Sequence, residues 1–135
     1  MPVVDASAAI ELLMATPTGF AIEETLFSSG EPLAAPHLID VEVLHALRRF
    51  HLANILSAGR ARQALEDFGD LAIARYGHEM LRSEIWRLRD NLTAYDAAYV
   101  SLGVLLDAPV VTCDRKLARS RGHGADFRLF ELPAA

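Results

Sequence analysis

The chain has 135 residues, 52% of them hydrophobic and 23% charged, with a formal net charge of -5. That length and composition suit one domain spanning residues 1–135 with a single filled core, and leave no room for a second. No apolar run approaches the roughly 20 residues that span a bilayer, no basic leader stands at the N-terminus, and no stretch has the composition of a disordered tail. A soluble, cytoplasmic protein without membrane association is therefore expected.

Taken in order, Pro2-Val3-Val4-Asp5 has the signal of a short strand, and a helix begins directly after it at Ser7 and runs to Met14. Asp5 stands at the junction. Pro17 to Phe27 reads as a second helix, and Leu33-Ala34-Ala35 as a second strand before Pro36. Ile39, Val43, Ala46, Leu47 and Phe50 form one stripe at helical spacing, with Glu42 at its edge. Ser57 is placed to cap a helix through Ala61, Leu65 and Phe68 to about Leu71, followed by a strand at Ile73 to Tyr76. An amphipathic helix is expected over His78 to Arg89. Thr93 is placed to cap a helix from Ala94 to Leu106 that is apolar on nearly every side, hence central and buried. Val110 to Cys113 follows as a strand, Asp114 opens a short helix to about Ser120, Gly122 and Gly124 mark a loop, and Phe127 to Leu132 is a last edge strand. Cys113, the sole cysteine, reads as a small buried hydrophobe. Strands that are apolar throughout, alternating with helices, imply an α/β fold around a largely parallel sheet.

The acids are the chemistry-bearing feature. Asp5 and Asp114 each follow an apolar strand, so in a parallel sheet both emerge at the carboxyl edge, where ligands collect. Asp96 lies in the first turn of the most apolar helix, where an acid also complements the helix dipole. Glu42 borders a core stripe, where an arginine such as Arg49 would be an ordinary partner. Each acid alone has an adequate structural explanation. Together, four converging carboxylates would raise one another's pKa values and cost stability unless a cation joined them. Mg²⁺ or Mn²⁺ is favoured over zinc, because all the donors are oxygens. The histidines, His37, His45, His51, His78 and His123, lack metal-binding spacing. Such a metal suits phosphodiester hydrolysis: it generates hydroxide from water, neutralises the phosphate and stabilises the leaving oxygen. Ser7 and Thr112, each two residues from an acid, are candidate supports through their hydroxyls, with helix capping and strand packing as their plainer roles. All but one of the 13 basic residues are arginine, a side chain suited to bidentate phosphate contacts. Arg48-Arg49, Arg60 with Arg62, and Arg115-Lys116 with Arg119 and Arg121 form clusters, although a solvated helix face explains any single one.

Four motifs now stand in order along the whole chain: Val4-Asp5-Ala6-Ser7-Ala8, Val41-Glu42-Val43-Leu44-His45-Ala46-Leu47, Tyr95-Asp96-Ala97-Ala98-Tyr99-Val100-Ser101-Leu102 and Thr112-Cys113-Asp114-Arg115-Lys116-Leu117. The set resembles PIN-domain ribonucleases, and more narrowly the VapC-type toxins of bacterial toxin–antitoxin pairs. Each motif alone is weak; their order carries the resemblance. It implies a three-layer α/β/α sandwich with a mainly parallel sheet, and Mg²⁺- or Mn²⁺-dependent endoribonuclease activity in which a metal-activated water hydrolyses RNA. It further implies homodimerisation and inhibition by a VapB-like antitoxin whose tail crosses the active-site groove. Metal-ligand and catalytic roles carry over to Asp5, Glu42, Asp96 and Asp114, the last acting directly or through water. Ser7 and Thr112 become supports, and Arg115, Lys116 and Arg119 become candidate RNA contacts. Phe20, Ile22, Leu26 and Phe27 are candidate antitoxin surface, with core packing the competing explanation. Asp40 departs from the serine or threonine common among relatives, and helix capping is its expected role.

Other classes fit less well. A phosphoacceptor receiver domain expects paired acids after the first strand, and a haloacid-dehalogenase-type phosphatase expects Asp-x-Asp; Asp5-Ala6-Ser7 supplies neither. A non-catalytic PIN-like module binding RNA or protein remains the alternative, weakened by the presence of all four acids.

Overall fold

Among the described residues Val3 and Val4 form the shortest of five strands, and it lies at the middle of the sheet with both side chains fully buried. The structure is a computed structural model and describes residues 1–134. Its strands are β1 (Val3–Val4), β2 (Leu33–Pro36), β3 (Ile73–Tyr76), β4 (Val110–Thr112) and β5 (Phe127–Leu129). Its helices are α1 (Ala6–Met14), α2 (Pro17–Phe27), α3 (Ile39–Leu52), α4 (Ala58–Asp70), α5 (Arg82–Arg87), α6 (Ala94–Leu106) and α7 (Arg115–Ala118). The sheet order is β3-β2-β1-β4-β5 and every pairing is parallel. β1, β2 and β4 are buried throughout, whereas the edge strands β3 and β5 are partly exposed. Central strands must be apolar on both sides because helices cover both faces. α1 packs with α2, α3 and α4, while α6 lies against β1, β2 and β4 beside α5, giving the α/β/α sandwich. A receiver domain would have strand order 2-1-3-4-5; the observed order excludes it.

Local chemistry sets most helix boundaries. Thr16 caps α2, with Pro17 in its first turn, and Ser57 and Thr93 cap α4 and α6 by accepting the backbone N–H groups of Arg60 and Asp96, each at 3.1 Å. Two glycines permit close approach: a Cβ on Gly19 would stand 2.0 Å from the Glu11 carbonyl oxygen on α1, and one on Gly103 would meet Val110 at 2.7 Å. The second contact lets α6 press onto β4, which brings that helix's first turn to the carboxyl edge of the sheet.

Several expectations are corrected. The single helix anticipated from His78 to Arg89 is a 3₁₀ turn at Glu79–Leu81 followed by the short α5. Leu81 and Leu88 are buried while no residue of α5 is, so the segment is pinned at its ends rather than along a stripe. In α4 the buried positions are Ala64 and Phe68, while Leu65 is exposed. β5 ends at Leu129, and beyond it Glu131 pairs with Arg115 at 3.0 Å. Asp40 does not cap α3; it grips Arg75 of β3 with two short bonds, 2.7 and 2.8 Å. On α2, Ile22 and Leu26 belong to the core whereas Phe20 and Phe27 are exposed. Among the described residues no helix is long and apolar enough to cross a membrane.

Candidate active site

Asp5 ends β1 and caps α1, accepting the Ala8 N–H at 3.0 Å. Only 6% of it is exposed. The Ser7 hydroxyl donates to its Oδ1 at 2.6 Å and the Thr112 hydroxyl, from the neighbouring β4, to its Oδ2 at 2.5 Å. Both hydroxyls also accept: Ser7 takes the Cys113 N–H at 2.9 Å, and Thr112 takes the Asp114 N–H at 2.9 Å. One polar network thus clamps the ends of β1 and β4 together and fixes Asp5 relative to the backbone of Asp114. Burial pushes the Asp5 carboxyl up from its ordinary range; the three donors oppose this and the nearby charge of Asp114 adds to it.

Glu42 projects from the first turn of α3, where the stripe of Ile39, Val43 and Leu47 holds the helix to the core. Its partner is not Arg49 but Tyr99, whose hydroxyl donates to Oε1 at 2.6 Å. Burial raises the Glu42 pKa, the phenol lowers it, and Asp96 and Asp5 raise it further. Asp96, in the first turn of α6, is raised by burial and then by the charge of Asp114. Asp114 caps α7, its Oδ1 accepting from Lys116 and Leu117 at 2.9 and 3.2 Å, and its side chain is exposed. Cys113 is buried as expected, and burial pushes its thiol up to about 12, which leaves it protonated and inert at neutral pH.

These four acids come from four separated segments and line one cavity of about 160 Å³, together with Ala6, Ser7 and Tyr99. They border the same space without closing into a ready-made ligand set: among the described residues, no three histidine, cysteine, aspartate or glutamate side chains are grouped tightly enough to hold a metal ion. The donor chemistry nevertheless fits a hard divalent cation. Every donor is a carboxylate oxygen, and among the described residues none of the four acids is ion-paired to a lysine or arginine. Three of them are shifted upward, by burial first and by neighbouring carboxylates second, and a cation would offset both costs.

A larger cleft of about 700 Å³ opens from the Asp96 and Asp114 side, lined by Lys116, Arg119 and Arg121 among others. Arg115 also borders it, but its guanidinium is paired with Glu131, so of the three anticipated RNA contacts Lys116 and Arg119 are the better placed. Tyr99 is the site residue that sequence reasoning passed over, as one more apolar position of α6. Its spacing of three from Asp96 was the available signal, since that spacing puts both on one helix face. Ser7 lines the same cavity, and the hydroxyls of Ser7 and Thr112 are both engaged with Asp5 itself.

The PIN domain family model matches residues 3–122. Ribonuclease VapC12 of Mycobacterium tuberculosis is 37% identical over 129 residues, covering 96% of this chain and 98% of the relative. Ribonuclease VapC1 of the same species is 40% identical over 128 residues, covering 94% and 96%. Among solved structures, VapBC2 from Rickettsia felis bound to a DNA fragment from their promoter is similar in fold, with a TM-score of 0.65 and 12% identity over 96% of this chain and 98% of that one.

Proposed function

The chain belongs to the PIN-domain family, and from that premise we propose that it is a Mg²⁺- or Mn²⁺-dependent endoribonuclease acting as the toxin of a toxin–antitoxin pair. One observation carries the reading: four carboxylates from four segments line a single cavity that opens beside a basic cleft. Full-length relatives that are named ribonucleases support the reaction class. Asp5, Glu42 and Asp96 are the firmest candidate ligands, and Asp114 serves directly or through water. Bound among them, the cation would supply charge neutralisation at the scissile phosphate and a more acidic attacking water. The chain's own groups do the positioning. Ser7 and Thr112 keep Asp5 in one orientation, while Lys116, Arg119 and Arg121 offer charge to the flanking phosphates. Basic side chains next to an acidic centre reconcile the net charge of -5 with a nucleic-acid substrate.

The partner reading is a VapB-like antitoxin, supported by the Rickettsia felis structure of a VapBC complex. Exposed Phe20 and Phe27 on α2 offer apolar surface for it, and exposed Val41, Leu44, Leu52 and Ile55 on and after α3 offer a further face of the kind a homodimer covers. Purified chain free of antitoxin should cleave a broad RNA pool with Mg²⁺ or Mn²⁺, EDTA should abolish cleavage, and Asp96→Asn should greatly reduce it. RNA left intact under both metals would count against the nuclease. Induced expression should arrest growth and a neighbouring small gene should relieve the arrest; unimpaired growth would leave a nuclease that is not a toxin.

A further inference from the structure

Tyr99 is 2% exposed, in the middle of the most buried helix, yet it carries a hydroxyl. A buried phenol must find an acceptor or forfeit its desolvation cost. The acceptor is Glu42 Oε1, 57 residues away in sequence and 2.6 Å away in space. α6 bears Asp96 one turn before Tyr99, and α3 bears Glu42, so this one bond spans the two helices that contribute acids to the cavity.

We propose that Tyr99 is a positioning residue for the candidate metal site, locking the Glu42 carboxylate through Oε1 so that Oε2 is presented to a divalent cation. The inference rests on the reading of Glu42 as a ligand. Glutamate has one more rotatable bond than aspartate, and a half-buried glutamate left unrestrained would lose that freedom on binding metal. A charge-assisted hydrogen bond from a rigid, buried ring removes the freedom beforehand. Asp5 is held by the same device with different donors, the hydroxyls of Ser7 and Thr112. Asp5 and Glu42 are therefore each oriented by hydroxyl groups rather than by cations, which leaves their negative charge uncompensated for the metal.

The test is a double-mutant cycle on the full chain, with Mn²⁺ affinity read from the electron paramagnetic resonance of free Mn²⁺ and the melting of each metal-free protein recorded beside it. Tyr99→Phe keeps the ring and removes the donor. It should weaken Mn²⁺ binding about tenfold, the scale seen when partners of metal ligands are removed, while the metal-free protein still melts cooperatively. In a Glu42→Gln background the same change should have almost no further effect, because both act through one carboxylate. Val100→Ala, within the separate apolar cluster of Leu88, Ala97 and Leu117, supplies a loosened α6 with the bond intact and should bind Mn²⁺ as the unaltered chain does. Unchanged affinity in Tyr99→Phe, equal losses in both backgrounds, or a matching loss in Val100→Ala would each overturn the proposal. Unchanged affinity in Glu42→Gln alone would overturn the ligand reading and this inference with it.

Discussion

The two halves of the acid cavity are built differently. On one side Asp5 is buried beneath three donors and Glu42 is held by a buried phenol; on the other, Asp96 and Asp114 face the open cleft, and Asp114 spends its Oδ1 capping a helix of four residues. The inner half is set before anything binds. The outer half borders the basic side chains of the cleft. Orientation by neutral hydroxyls is what allows the inner acids to be fixed without being neutralised, since an arginine partner would have compensated the charge a cation needs. Asp40 makes the point by contrast: its bidentate bond to Arg75 orients it equally well and removes it from metal chemistry.

Substitutions separate the halves by size of effect. Asp5→Asn should abolish measurable Mn²⁺ binding and lower RNA cleavage by more than about a hundredfold, beyond the range reached by removing a ligand's partner, with the fold intact by circular dichroism. Retained cleavage would move the chemistry to the outer half. Thr112→Val removes the clamp and not the acid, so cleavage should fall about tenfold. Stability to urea should also fall, by about 1–3 kcal/mol, because Asp5 Oδ2 and the Asp114 N–H both lose a partner. A loss of stability without any loss of Mn²⁺ affinity would reduce Thr112 to a structural tie. Arg119→Ala, on the outer side, should weaken RNA binding several-fold and reduce its salt dependence by about one phosphate contact, leaving Mn²⁺ affinity unchanged; a shift in metal affinity would mean the halves are coupled.

The smallest effect concerns pH. Asp5, Glu42 and Asp96 are all raised, by burial first. A carboxyl raised on folding holds more protons in the folded chain than in the unfolded one between the ordinary and the raised values. Its contribution to stability is therefore complete below the ordinary carboxylate range and is lost as pH rises through the raised values. The metal-free protein should melt highest in mild acid and at lower temperature near neutrality, and Mn²⁺ should flatten that slope. A metal-free profile that rises toward neutrality would contradict the raised carboxyls that burial and their acidic neighbours produce.

Much of the scaffold is legible in the residues themselves. Helical bounds at Pro17 to Phe27 and Ala94 to Leu106, and the strand at Ile73 to Tyr76, agree with the structure because caps, proline and apolar runs act locally. The apolar character of Val3-Val4 and Val110-Val111 likewise announces interior parallel strands, and with them the shared edge from which Asp5 and Asp114 emerge. Local pattern fails where distant packing decides. The segment from His78 to Arg89 breaks into two pieces to seat Leu81 and Leu88, and Asp40 turns to an arginine 35 residues away.

The sequence by itself determined the sandwich, the positions of the four acids at element ends, and the ordered motifs that announce the family, because each depends on neighbours along the chain. Only the tertiary structure decided what orients those acids. Tyr99 meets Glu42 across 57 residues and Thr112 meets Asp5 across 107, and a hydrogen bond of such span is decided by how helices and strands stack. No periodicity encodes it.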